Sequence, residues 1–263
     1  RDFNTRTFSS EYIERGTFVT DNQQEFEPLD VIAVGAHPDD VEIACGGTLA
    51  RLVQLGYKVG IIDLTDGEPT PLSPGPEVRL EEARRAAEVL GITKRITLDM
   101  PNRALFDCFE HRVTLAKEFR KYRPRIVIGF GDKTPMASPD HYQAMQITDA
   151  AVFYSRLCKW PEHFGDLPRH IISKQLYFRL AFEPMHHTAP SGHITMDISE
   201  TLEMKLESIR CYETQFPAEK AYVYDRVKSF AMQCGAEAGY QAGEIFYPTR
   251  SLGTADIVKT LQG

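Results

Sequence analysis

The sequence predicts an α/β fold, a Rossmann-like, doubly wound and mainly parallel sheet with helices on both faces and a C-terminal cap. Short runs that are apolar throughout, such as "DVIAVGA" and "RIVIGFG", alternate with longer segments of helical period. Strands buried on both faces give such runs, and a helix between successive strands is what right-handed crossovers in a parallel sheet require. The residues richest in chemistry also fall where the strands end, and open parallel sheets bind ligands at the carboxyl ends of their strands.

Taken in order, residues 1–28 are polar and without period ("TDNQQEFEP") and are expected to form an extension ahead of a single domain over 29–263. The core of that domain is expected over 29–158. "DVIAVGA" leads to a helix around "EIACGGTLARLVQLG", and "KVGIIDLT" to one around "EVRLEEARRAAEVLG". "RITLDM" precedes "HRVTLAKEFRKYR", and "RIVIGFG" precedes "HYQAMQITDAAVFYSRLC". Residues 159–263 are expected as the cap, with strands at "KQLYFRL" and "HITMDIS" and helices around "ETLEMKLESIRCYETQ" and "AYVYDRVKSFAMQCGAEAGY".

The net charge of −7 argues against a nucleic-acid partner, which needs clustered cations. The one dense basic run, "FRKYRPR", reads as a helix end with cations at the negative pole of the dipole. No apolar run approaches the roughly 18 residues of a membrane span. Five cysteines, odd in number and without a C-x-x-C pair, predict reduced thiols in a cytoplasmic protein and no cysteine-based metal site.

The first strand runs straight into His37-Pro38-Asp39-Asp40. A dinucleotide site would need G-x-G-x-x-G in this turn, and two carboxylates would repel a pyrophosphate. A divalent metal fits better. His37 and Asp40 can face one ion, and His141, after the fourth strand, can complete a His₂Asp set, the three-ligand arrangement of catalytic zinc. Asp39, facing away from the metal, would then be the base. Taken singly, either aspartate also reads as a helix N-cap and His141 as a structural histidine. The other strand ends deliver Thr65, Asp66 and Glu68, then Asn102 and Arg103, then Asp140 beside His141.

"GAHPDDVEIACGGTLARL" resembles the A-H-P-D-D-x-E signature of the LmbE/PIG-L family of zinc-dependent N-acetylglucosaminyl deacetylases. The resemblance extends through "DLTDGE", Arg79 in "VRLEEARRAAEVLG", "MPNRAL", "SPDHYQAM" and "DISETLEMKLESIRCYETQF", with the bacillithiol-pathway enzymes that act on N-acetylglucosaminyl malate most similar. It implies one Zn²⁺ per chain, or another divalent transition metal, on His37, Asp40 and His141, with Asp39 as base and Asp140 as an orienting residue. It implies substrate contacts from Arg79, Glu68, Asn102 and Arg103, although Arg79 equally reads as a solvated helix residue. A small amino-sugar substrate and a homo-oligomer, trimer or hexamer, are further implications.

Two positions depart from the family pattern. Ser138 stands where members carry the first histidine of His-Pro-Asp-His, and Asn102 where they carry aspartate. A serine hydroxyl can still hydrogen-bond at the substrate, but it cannot supply a proton near neutral pH. The acid is therefore expected to be Asp39 itself or one of His186, His187 and His193 in "HHTAPSGH", a segment that also reads as an exposed loop. The expected activity is removal of the N-acetyl group from an N-acetylglucosamine derivative. The alternatives are a non-catalytic metal-containing sugar-binding protein and an amidase acting on a non-sugar acetylated amine.

Overall fold

The computed structural model describes residues 26–180 and 192–256. Strands β1 (Val31–Gly35), β2 (Val59–Asp63), β3 (Lys94–Thr97) and β4 (Ile126–Phe130) alternate with helices α1 (Asp40–Gln54), α2 (Pro76–Leu90), α3 (Phe109–Tyr122) and α4 (Asp140–Tyr154). There follow α5 (Pro161–Phe164), β5 (Lys174–Phe178), β6 (Ile194–Asp197), α6 (Leu202–Arg210), α7 (Tyr222–Glu237) and β7 (Gly243–Pro248). The seven strands form one sheet in the order β3-β2-β1-β4-β5-β7-β6.

The expected parallel core is present. β1 pairs in parallel with β2 on one side and β4 on the other, and β5 continues the parallel set beyond β4. Every residue of β1 and β2 is buried, which is why both segments read as unbroken apolar runs. α1, α2 and α6 pack together, as do α3 and α4, so the sheet is covered on both faces. Ile32, Ile61, Leu64, Leu115, Phe119 and Ile147 are among the fully buried side chains of this core.

The segment beyond residue 158 does more than cover the core, because β5, β7 and β6 extend the same sheet. β7 lies antiparallel to both β5 and β6. Sequence reading did not find β7, whose "GEIFYP" begins with Gly and Glu and ends with Pro, residues depleted in strands.

Helix α1 contains a break. Cys45 has φ −142° and ψ 18°, outside helical values, which frees the amides that follow. Glu244 of β7 takes them up, with Oε1 accepting from Gly47 N at 3.1 Å and Oε2 from Thr48 N at 2.7 Å. A carboxylate from a distant strand thus caps a helix restart. The buried Lys205 of α6 pairs with the same carboxylate. Close approach also explains Gly47, where a Cβ would lie 2.7 Å from Ile198 Cδ1.

All five cysteines are free, with Cys45 and Cys234 buried and Cys158 exposed. No helix among the described residues is long and apolar enough to cross a membrane.

Candidate active site

The turn after β1 is closed by the side chain of Asp40. Its Oδ2 accepts from Ala36 N at 3.0 Å and His37 N at 2.8 Å, folding the strand end back onto the start of α1. Asp39 occupies the N-cap position with φ 117°, a left-handed conformation that costs a non-glycine residue on the order of 1–3 kcal/mol. Its carbonyl accepts the first helical bond from Ile43 N, yet its side chain makes no capping bond. The N-cap reading therefore fails to account for the Asp39 carboxylate.

β4 ends beside β1, and the loop that follows brings His141 to the same place. His141 Nε2 lies 3.2 Å from Asp40 Oδ1, and His37 Nδ1 lies 3.3 Å from Asp40 Oδ2. One ligand atom from each of His37, Asp40 and His141 can be chosen so that all lie within 4.8 Å of one another. The remaining nitrogen of each ring also has a partner. His37 Nε2 faces Asp140 Oδ2 at 3.3 Å, and His141 Nδ1 faces Thr134 Oγ1 at 2.8 Å. The His141 ring stacks on Phe130 at 4.6 Å between centroids and 16° between planes. Two imidazoles and a carboxylate, oriented from behind by oxygen partners, suit a divalent transition ion.

Asp140 ties the site together. It is 1% exposed, and its Oδ2 also accepts from Arg103 N at 2.6 Å. Burial pushes its carboxyl up, but the hydrogen bonds from His37 and from the Arg103 amide outweigh that and hold it below the ordinary carboxylate range. Its own amide donates to Ser138 Oγ at 3.2 Å, so the hydroxyl at the departing position is engaged with the start of α4.

Arg79 is 2% exposed, not solvated. Val78 and Leu80 beside it are exposed, but Tyr212, just beyond α6, packs on Ala83 and Ala86 and covers this face. The Arg79 guanidinium carbon lies 5.2 Å from the centre of the Tyr212 ring. Tyr212 is held in turn by donating from its hydroxyl to Glu42 Oε1 at 2.8 Å. Arg79 Nη2 lies 3.1 Å from Asp39 Oδ2 and also donates to Pro38 O. Burial pushes the Asp39 carboxyl up, Arg79 draws it down and Asp40 pushes it up again, leaving it at about 7. That is where a general base working near neutral pH is most effective.

A cavity of about 360 Å³ opens over this arrangement, lined by His37, Asp39, Asp40, Arg79, Asn102, Arg103, Ser138 and His141. Asn102 Oδ1 is buried with no hydrogen-bond partner among the described residues. Glu68 is not part of the lining. Its carboxylate accepts from Thr70 N at 2.7 Å and Thr70 Oγ1 at 2.9 Å, and Thr70 takes its place in the wall. His193 is exposed, 6.3 Å from the Tyr247 ring, and is not brought to the cavity. His186 and His187 lie outside the described residues.

Sequence reasoning missed Ile43, Thr70, Thr134, Leu180, Gln215 and Phe216 in the wall. Gln215 and Phe216 belong to the late "CYETQF" segment, whose match gave no role to any residue. Gln215 Nε2 donates to Thr70 Oγ1 at 2.9 Å, joining that segment to the loop after β2.

The profile described as "PIG-L: GlcNAc-PI de-N-acetylase" matches residues 32–152, the stretch carrying the whole His37/Asp40/His141 set. The chain is similar to the diacetylchitobiose deacetylase of Thermococcus kodakarensis, 30% identical over 224 residues that cover 81% of this chain and 80% of that protein. It is also similar to the 1D-myo-inositol 2-acetamido-2-deoxy-alpha-D-glucopyranoside deacetylase of Saccharomonospora viridis, with 26% identity over 70% of this chain and 84% of the relative. Its structure resembles that of the N,N'-diacetylchitobiose deacetylase from Pyrococcus horikoshii, with a TM-score of 0.72 and 26% identity over 84% of this chain and 83% of that one. With the signature turn, the sheet and the relatives in agreement, the chain belongs to the PIG-L family of hydrolytic deacetylases.

Proposed function

We propose that the protein is a zinc-dependent hydrolase that removes the N-acetyl group from an N-acetylglucosamine derivative, releasing acetate and a free amine. N-acetylglucosaminyl malate is the first substrate to test. The observation that carries this reading is the convergence of His37, Asp40 and His141 within 4.8 Å, with Asp39 lining the same cavity. The relatives that act on diacetylchitobiose and on the inositol-linked sugar support an amino-sugar substrate.

A divalent ion held by His37, Asp40 and His141 supplies Lewis acidity for the amide carbonyl and for water. Asp39 takes the proton from the attacking water. Arg79 holds Asp39 Oδ2, and Asp39 lines the cavity. The amine leaves as the tetrahedral centre collapses, and Asp39 returns its proton to the nitrogen. This double duty is the reading favoured because the Ser138 hydroxyl is too weak an acid and His193 lies away from the cavity, with His186 and His187 outside the described residues. Asn102 and Arg103 line the wall where sugar hydroxyls would be read.

The test is metal analysis of protein purified without added metal, combined with amine release from N-acetylglucosaminyl malate, diacetylchitobiose and N-acetylglucosaminyl inositol. About one zinc per chain and turnover of at least one of the three is the expected result. Zinc with sugar binding but no turnover would make this a binding protein. Turnover confined to non-sugar acetamides would make it a different amidase.

A further inference from the structure

We propose that Thr134 is a positioning residue whose hydroxyl fixes the orientation of the His141 ring, so that Nε2 is presented to the metal. The proposal rests on the metal reading given above.

Thr134 sits in the loop between β4 and α4, seven residues before His141, and is 9% exposed. Its Oγ1 lies 2.8 Å from His141 Nδ1, while Phe130 covers one face of the ring. On the far side, Nε2 lies 3.2 Å from Asp40 Oδ1. Ionised carboxylate oxygens only accept, so in the metal-free protein a neutral His141 carries its proton on Nε2 and donates to Asp40. Nδ1 is then bare, and Thr134 must donate to it. A ligand nitrogen cannot keep its proton, so on loading the proton resides on Nδ1 and Thr134 must accept. A hydroxyl does both by rotating about one bond.

His37 is handled differently. Its outer nitrogen, Nε2, faces Asp140, a carboxylate that can only accept and so always takes the hydrogen bond from that nitrogen's side, while Nδ1 faces Asp40. One histidine thus has an outer partner that only accepts, and the other has a partner that serves both states. Hydrogen-bond partners behind a metal-ligating imidazole typically change metal affinity by roughly 10–100-fold.

The test is zinc affinity of the full chain, stripped of metal and titrated in competition with a chromogenic chelator. Thr134→Val keeps the shape and removes the hydroxyl, and should weaken zinc binding by roughly 10–100-fold. Thr134→Ser should restore affinity to within about threefold of the parent. In a His141→Ala background, Thr134→Val should have no further effect. Circular dichroism checks folding, and Thr134→Ala serves as the hydroxyl-free variant should valine not be accommodated. Parent-like affinity in the hydroxyl-free protein overturns the proposal. So does a serine variant as weak as valine, or a valine effect that persists without His141. If the parent chain binds no zinc, the metal reading falls and this proposal with it.

Discussion

Replacing Glu244 with alanine removes one carboxylate that serves three donors. Gly47 N and Thr48 N lose their acceptor at the α1 restart, and Lys205, 3% exposed, is left as a buried cation without its counter-ion. Breaking one side of a buried ion pair costs about 3–5 kcal/mol, and loss of an N-terminal cap about 1 kcal/mol more. The expected destabilisation is therefore about 4–6 kcal/mol, a large share of the roughly 5–15 kcal/mol by which domains are stable. Glu244→Gln, which keeps the shape and one acceptor but not the charge, should fall between alanine and the parent. Urea unfolding followed by circular dichroism measures both. A loss below about 1 kcal/mol for alanine would refute the idea that this carboxylate holds the two halves of α1 and α6 together.

The adjacent aspartates should separate cleanly. Asp40→Ala is expected to lose metal and activity together, whereas Asp39→Asn should keep zinc and lose on the order of 10²-fold or more in kcat, checked by metal analysis and initial rates. The opposite pattern would exchange their roles. Gly67 has φ 77°, and a Cβ there would lie 3.2 Å from Pro38 Cδ and 3.5 Å from Arg79 Nε. Gly67→Ala should cost about 1–2 kcal/mol on backbone grounds and also lower kcat by disturbing Arg79; an unchanged thermal midpoint and rate would contradict this. Burial lifts the Asp149 carboxyl above its ordinary value, partly offset by hydrogen bonds from Gln175 and Tyr177. The folded state therefore binds this proton more tightly than the unfolded one, and the contribution to stability declines as pH rises through the folded value. Asp149→Asn should flatten that part of the profile of thermal midpoint against pH, and an unchanged slope would count against it.

The parallel core was legible because β1, β2 and β4 are buried on both faces, so burial alone dictates their composition. The metal-ligand candidates were legible because His37 and Asp40 follow the end of β1 and His141 opens the helix after β4, on the edge where an open parallel sheet gathers its ligand groups. Arg79 was not. Its immediate neighbours, Val78 and Leu80, are exposed, and its burial is decided by Tyr212, 133 positions later. Thr134 carried no signal, since its role depends on where the loop after β4 sets one oxygen against one ring nitrogen. β7 escaped because its ends are Gly, Glu and Pro, residues depleted in strands, which leaves only Ile245, Phe246 and Tyr247 as a strand signal. Glu68 satisfied the match but spends both carboxylate oxygens on its own turn.

The strand order gives this architecture a division of labour. β1 and β4 are adjacent, and the chain crosses from one side of the sheet to the other between them, so a cleft exists there before any side chain is chosen. The His37, Asp40 and His141 set straddles that cleft and depends only on the parallel core. Leu180, Gln215 and Phe216, by contrast, reach the cavity from the later segment. Changes at those three positions can reshape one wall while the hydrolytic centre stays as it is, so long as Tyr212 over Arg79 and Glu244 at α1 are kept. A lineage of such proteins could therefore exchange one acetylated substrate for another through its C-terminal half alone, and chimaeras joined after β4 and α4 are the natural way to move specificity between relatives.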